Sequence, residues 1–149
     1  MNAEIEVLLK KVVTGDAIAQ YELGKRYEEG RDIARDYSKA REWYAKSAAR
    51  GCADGQFKMA LDCGLQTPPN LRLQAEWYGK AAALGHAGAR NNIFNCYCEL
   101  ARSYEFGINL PKNLKLAVEW YAKAGSQIDL ARCHEKGIGV PVDLKMAKG

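Results

Sequence analysis

Residues 41–51 read Arg-Glu-Trp-Tyr-Ala-Lys-Ser-Ala-Ala-Arg-Gly, and this stretch returns twice further along the chain. Glu76-Trp77-Tyr78-Gly79-Lys80-Ala81-Ala82-Ala83-Leu84-Gly85 is the second copy, and Glu119-Trp120-Tyr121-Ala122-Lys123-Ala124-Gly125 is the third. All 3 tryptophans of the chain stand in this motif. The step from Trp43 to Trp77 is 34 residues and that from Trp77 to Trp120 is 43. Self-similarity at such a period marks a stacked repeat, in which one supersecondary unit recurs and buries its apolar side against the next.

Seven residues before each tryptophan stands Asp36, Asn70 or Asn113. Asp and Asn are N-cap residues, whose side-chain oxygen accepts from an unpaired amide of the first helical turn. The motif therefore lies two turns into a helix. Its alanine-rich second half leaves room for a close neighbour, and Gly51, Gly85 or Gly125 marks its end. A second helical pattern precedes each motif. In the first unit Asp16 follows the breaker Gly15, Ala19, Leu23 and Tyr27 form one stripe with the small Gly24 beside it, and Gly30 closes the helix. In the second unit Gln56, Phe57, Met59 and Ala60 take the corresponding places, and Thr67-Pro68-Pro69 stops the helix instead of glycine. The third begins at His86-Ala87-Gly88-Ala89, and both Ile93-Phe94 and Leu100-Ala101 fit its Leu-Gly register. These candidates are seven residues apart, nearly two turns, so the insertion lengthens the helix while keeping one face inward. The fourth runs from Leu130 to a cap at Asp143, and its tryptophan falls due one position past Gly149.

Ahead of the repeats, Ile5, Leu8, Leu9 and Val12 share one helical face, giving a capping helix within residues 1–14. The expected units are then 15–51, 52–85, 86–125 and a truncated 126–149. The missing last helix leads to the expectation of a bare apolar side and self-association through the C-terminal end.

The chain resembles the Sel-1-like repeat proteins, tetratricopeptide-related solenoids of paired helices. Gly15-Asp16-Ala17, Ala19-Gln20, Leu23-Gly24, Tyr27, Gly30, Asp36, Ala40, Trp43-Tyr44, Lys46, Ala48 and Gly51 carry the resemblance, with echoes through Gly137-Ile138-Gly139-Val140 and Asp143. It extends over residues 15 to 149; Cys63 in place of the helix tyrosine and Gln74 in place of alanine depart from it. The resemblance implies an all-α, right-handed superhelix with a concave face that binds proteins or peptides. Its members are commonly adaptors or regulators and are frequently bacterial. A non-enzymatic scaffold or adaptor is the function it implies, with an inhibitory or immunity-type regulator of one cognate protein as the alternative and an enzyme or cofactor-binding domain as the remote one.

Composition agrees with this class. With 48% apolar and 27% charged residues the chain reads as a globular protein, and its net charge of +4 is dispersed, leaving no basic run for nucleic acid. No membrane segment and no secretory leader is expected, and 5 cysteines fit reduced, buried thiols in a cytoplasmic protein better than a disulfide framework. No catalytic constellation, metal or cofactor is expected. Gly137-Ile138-Gly139 follows a helix and lacks the third glycine of a dinucleotide fingerprint, so it reads as a turn. Cys96 and Cys98 point about 200° apart on a helix and cannot share a metal ion, and Cys133 and His134 point about 100° apart. His134, in register with Tyr27, reads as a core residue.

The remaining face of each unit's first helix is the candidate binding surface. It carries Ile18, Tyr21, Lys25 and Glu28 in unit one and Phe57 and Leu61 in unit two. Asn91, Asn95, Arg102 and Glu105 follow in unit three, and Ile128, Arg132 and Glu135 in unit four. Phe57 and Leu61 are expected to face away from the core as an apolar anchor, with Lys25, Arg102 and Arg132 at its rim. A protein or peptide segment with an apolar residue and acidic neighbours is the partner this arrangement calls for.

Overall fold

The computed structural model describes residues 2–148, and among these every regular element is a helix. They are α1 (Ala3–Val13), α2 (Ala17–Glu29), α3 (Tyr37–Ala49), α4 (Ala53–Leu65), α5 (Leu71–Ala83), α6 (Ala87–Phe106), α7 (Leu114–Ala124), α8 (Gln127–Lys136) and α9 (Leu144–Lys148). Substantial packing joins only helices that follow one another in sequence, which is the contact pattern of a solenoid. The pairs α2/α3, α4/α5 and α6/α7 are the repeats, each with its Trp-Tyr motif on the second helix. The seven-residue insertion is absorbed as expected, within the 20-residue α6.

The predicted caps form. Asp16 accepts from the Ala19 amide at 3.0 Å, Asp36 from Lys39 at 3.0 Å, Asn70 from Leu73 at 3.2 Å and Asn113 from Leu116 at 3.0 Å. His86 caps α6 in the same manner, its Nδ1 accepting from the Ala89 amide at 3.1 Å. That bond places the ring proton on Nε2, which donates to Asp54 at 3.0 Å.

The core runs along the stack as a file of tyrosines and small residues. Tyr44, Tyr78 and Tyr121 are buried, and Ala48, Ala60, Ala81, Ala101 and Ala117 pack around them. Small residues permit close helix approach: a Cβ on Gly24 would lie 2.7 Å from the Tyr44 ring. The motif tryptophans are only half-buried. Lys46, Lys80 and Lys123, one turn further along, lie 4.3, 4.8 and 4.2 Å from the rings of Trp43, Trp77 and Trp120. Each Trp-Tyr-x-Lys motif thus sends its tyrosine into the core and covers its tryptophan with a cation on the outer side. At the C-terminal end Val142, Leu144 and Met146 are exposed.

Candidate partner-binding face

Two clusters of like composition join successive first helices across the stack. Tyr44 donates its hydroxyl proton to Glu28, which Lys58 of the next unit approaches at 3.3 Å. Tyr121 donates to Glu105 at 2.7 Å, and Arg132 of the next unit grips the same carboxylate with bonds of 2.6 and 2.9 Å. The cations also lie over the tyrosine rings, Lys58 at 5.5 Å from Tyr44 and Arg132 at 5.9 Å from Tyr121. Burial, reinforced by the adjacent carboxylate, pushes both phenols far above their ordinary range. The Arg132 hydrogen bonds hold the Glu105 carboxyl below the usual carboxylate range, although burial acts in the opposite sense. Burial also pushes Tyr21 up to about 12, with the Asp54 carboxylate adding to it, and the Cys96 thiol up to about 12. None of these groups exchanges a proton near neutral pH. The clusters fasten repeats together, and no acid, base or nucleophile stands ready among them.

The expected face is only partly realised. On α6, Asn91, Asn95 and Arg102 share one exposed stripe with Phe94 and Glu99. Glu105 does not belong to it. At 5% exposure it is buried, because the hydroxyl of Tyr121 and the guanidinium of Arg132 draw it inward. Arg132 is correspondingly half-buried, and of the α8 residues expected on this face Ile128, at 86% exposure, and Glu135 stand open. On α2, Tyr21, Lys25 and Glu28 are half-buried: the Tyr21 ring lies 5.7 Å from that of Tyr44, Lys25 lies over Tyr21 and 3.8 Å from Glu22, and Glu28 holds Tyr44.

Phe57 corrects the sequence expectation most directly. Its ring stacks on His86 at 4.5 Å, lies 5.9 Å from Tyr78 and packs against the core, so it belongs to the seam between units two and three. The small Gly88 is what admits it; a Cβ there would sit 3.0 Å from the Phe57 ring. Leu61, one turn on, is the side chain that faces out. It lines a cleft of about 430 Å³ together with Tyr37, Arg41, Met59, Asp62 and Leu65. The charged groups at this cleft are Arg41, bound to Asp62 through Nε at 3.0 Å and a terminal nitrogen at 2.7 Å, and Lys58 with Glu28. They take the rim positions expected of Lys25, Arg102 and Arg132.

Sequence reasoning passed over Tyr37 and Arg41, which lie on α3, and Leu65, one turn beyond Leu61 at the end of α4. The signal for the Glu28 and Glu105 clusters was present, since each glutamate precedes its tyrosine by 16 residues. Among the described residues no group of three or more His, Cys, Asp or Glu side chains could hold a metal ion, and all 5 cysteines are free. No described helix is long and apolar enough to cross a membrane.

The Sel1 repeat family model matches residues 17–52, 53–86, 95–129 and 124–148. A Sel1 repeat protein from Oxalobacter formigenes, known from its crystal structure, is 30% identical over 99% of this chain and 62% of its own, with a TM-score of 0.60. A protective antigen of uropathogenic Escherichia coli strains, which displays an SLR fold, is 25% identical over 94% of this chain and 38% of its own, with a TM-score of 0.53. This chain therefore spans less than two thirds of either protein. No curated protein matches it in sequence. With four matched units covering nearly all of α2 to α9, and with a tyrosine core and Asp/Asn caps recurring in register, the chain belongs to the Sel1 repeat family.

Proposed function

We propose that this protein is a non-enzymatic adaptor that holds an apolar, acid-flanked segment of a partner protein against the outer face of its first helices. Sel1 repeats generally mediate protein–protein interaction, and catalysis is not their usual role. The observation that carries the reading is the set of large apolar side chains left exposed on α2, α4, α6 and α8: Ile18, Leu61, Phe94 and Ile128. Scattered apolar residues need no explanation, but one on each successive first helix, beside the exposed Asn91, Asn95 and Arg102, is a surface suited to an elongated ligand. Leu61, with its cleft, replaces Phe57 as the anchor. The exposed Arg102 favours acidic neighbours in the partner and acts chiefly on orientation and association rate.

The test is titration calorimetry with the partner recovered by affinity purification, paired with thermal melts of each variant. Leu61→Ala is expected to weaken binding by about 2 kcal/mol with little change in melting temperature. Arg102→Ala should weaken it less and lose its effect at high salt. Phe57→Ala should lower the melting temperature, consistent with its place in the seam. Unchanged affinity in both Leu61→Ala and Ile128→Asp would refute this reading.

A further inference from the structure

Each repeat closes its inter-helix connection with one backbone bond, and the lengths of these connections are unequal. The amide of Asp36 donates to the Tyr27 carbonyl, that of Asn113 to Tyr104 and that of Asp143 to His134, a step of nine residues each time. In the second unit the amide of Asn70 donates to the Cys63 carbonyl, a step of seven. The three longer connections share a geometry: a left-handed glycine (Gly30, Gly107, Gly137) and, two residues on, a second left-handed residue (Asp32, Asn109, Gly139). The connection after α4 has neither, and its Gln66 is extended.

The longer connection has a second task, which is to cover the start of the preceding unit's second helix. At the end of the stack, Gly139 sits so close on α7 that an added Cβ would strike the Leu114 carbonyl and lie 3.1 Å from the Val118 side chain. In the middle, Leu110 of the connection after α6 is partly buried against the core cluster, and Leu71 at the start of α5 is itself buried. The equivalents of Leu114 and Val118 in the first unit are Tyr37 and Arg41, one and five residues past the cap, and they belong under the short connection. Tyr37 is 64% exposed, whereas Leu71 in the same register is 7% exposed. The cleft at Tyr37, Arg41, Leu61 and Leu65 is therefore the place that, elsewhere in the stack, the protein's own next turn occupies.

We infer that this cleft is the seat for a turn donated by the partner, one that carries a branched aliphatic residue beside a left-handed glycine or asparagine and a nearby carboxylate. The inference rests on the interaction function proposed above and deepens it. Shape follows from the equivalence: Gly137-Ile138-Gly139-Val140 makes the corresponding fit on α7, with Ile138 and Val140 packed against the core. Charge complementarity sets the rest. Asp62 and Glu28 are already engaged by Arg41 and Lys58, and Asp36 is engaged as the cap of α3. Arg35 lies over the Tyr37 ring at 5.7 Å and has no ion-pair partner among the described residues. The charges lining the cleft thus pair off, and the unpaired charge at its Tyr37 edge, that of Arg35, is positive. Leu65, at 83% exposure beside it, gives the incoming aliphatic residue an apolar wall.

The experiment uses the whole chain, isotopically labelled, and the synthetic peptide Gly-Ile-Gly-Val-Pro-Val-Asp, the sequence of residues 137–143. Titration followed by amide chemical shifts should perturb residues around 37, 41, 61 and 65. An aspartate in place of the peptide's isoleucine, or Leu65→Asp in the protein, should reduce affinity at least tenfold. A second variant, in which residues 66–69 are replaced by the six residues of 137–142, restores the nine-residue step and should abolish these shifts while raising the melting temperature. No shifts at the cleft, or shifts that persist in the loop-restored protein, would overturn the inference. Concentration-dependent dimerisation that loop restoration abolishes would overturn it too, because the occupant would then be a second copy of this chain. The two proposals fail separately: loop restoration leaves Ile18, Arg102 and Ile128 untouched. Full partner affinity in the loop-restored protein, with reduced affinity in Ile128→Asp, removes the cleft and keeps the face.

Discussion

Glu105 shows how one side chain can be misplaced by helical period and recovered by chemistry. Counting along α6 puts it on the exposed stripe, three residues beyond Arg102 and between Phe94 and Asn91 in angle, but it also lies 16 residues ahead of Tyr121. Once a phenol and a guanidinium are within reach, burying the carboxylate leaves none of its main partners unmet. The same chemistry gives a pH dependence. Its carboxyl is held below the ordinary range in the folded protein, so the stabilisation it provides is fully present above the unfolded carboxylate value, about 4.3. It is lost as the pH falls through the lower folded value. Glu105→Gln should therefore cost about 2 kcal/mol at pH 7, less than for a fully buried pair because Arg132 is a third exposed and can rehydrate. The difference from wild type should shrink as the pH falls below 4, and urea titrations at several pH values would measure it.

At the scale of elements, a short sequence sets each boundary and a neighbouring unit decides what it covers. The Trp-Tyr motif, the Asp/Asn caps and the closing glycines made the helices legible, and the seven-residue insertion into α6 was legible because it preserves the helical face. The shortened connection after α4 was equally visible in the sequence as Thr67-Pro68-Pro69. Its consequence was not, because only the assembled stack shows a connection seated on the second helix of the unit before it, as Gly139 is on α7. Phe57 was misassigned for a related reason: its face is set by Gly88 and His86, 31 and 29 residues away in sequence. Seating of the last connection can be tested through Gly139→Ala. The left-handed backbone and the contact with the Leu114 carbonyl should together cost about 2 kcal/mol or more. Hydrogen exchange should then show α7 to α9 losing protection while α2 to α4 keep theirs, since a repeat array transmits stability only between neighbours.

Across the whole molecule, packing between sequential helices produces a stack whose outer faces differ. The second helices carry tryptophans roofed by lysines and the first helices carry exposed Ile18, Leu61, Phe94 and Ile128. A lysine over a tryptophan covers the ring with a favourable cation–π contact, whereas an exposed aliphatic chain gains by being covered. That contrast is why we propose the first-helix side for the partner. The most direct measurement is site-specific photo-crosslinking in the native source, with benzoylphenylalanine placed at residue 61 or 128 on one side and at residue 76 or 119 on the other. Glu76 and Glu119 are exposed beside the tryptophans, so all four positions accept the label. The account predicts one shared covalent adduct from positions 61 and 128 and none from 76 and 119. Adducts from 76 and 119, with none from 61 and 128, would contradict it.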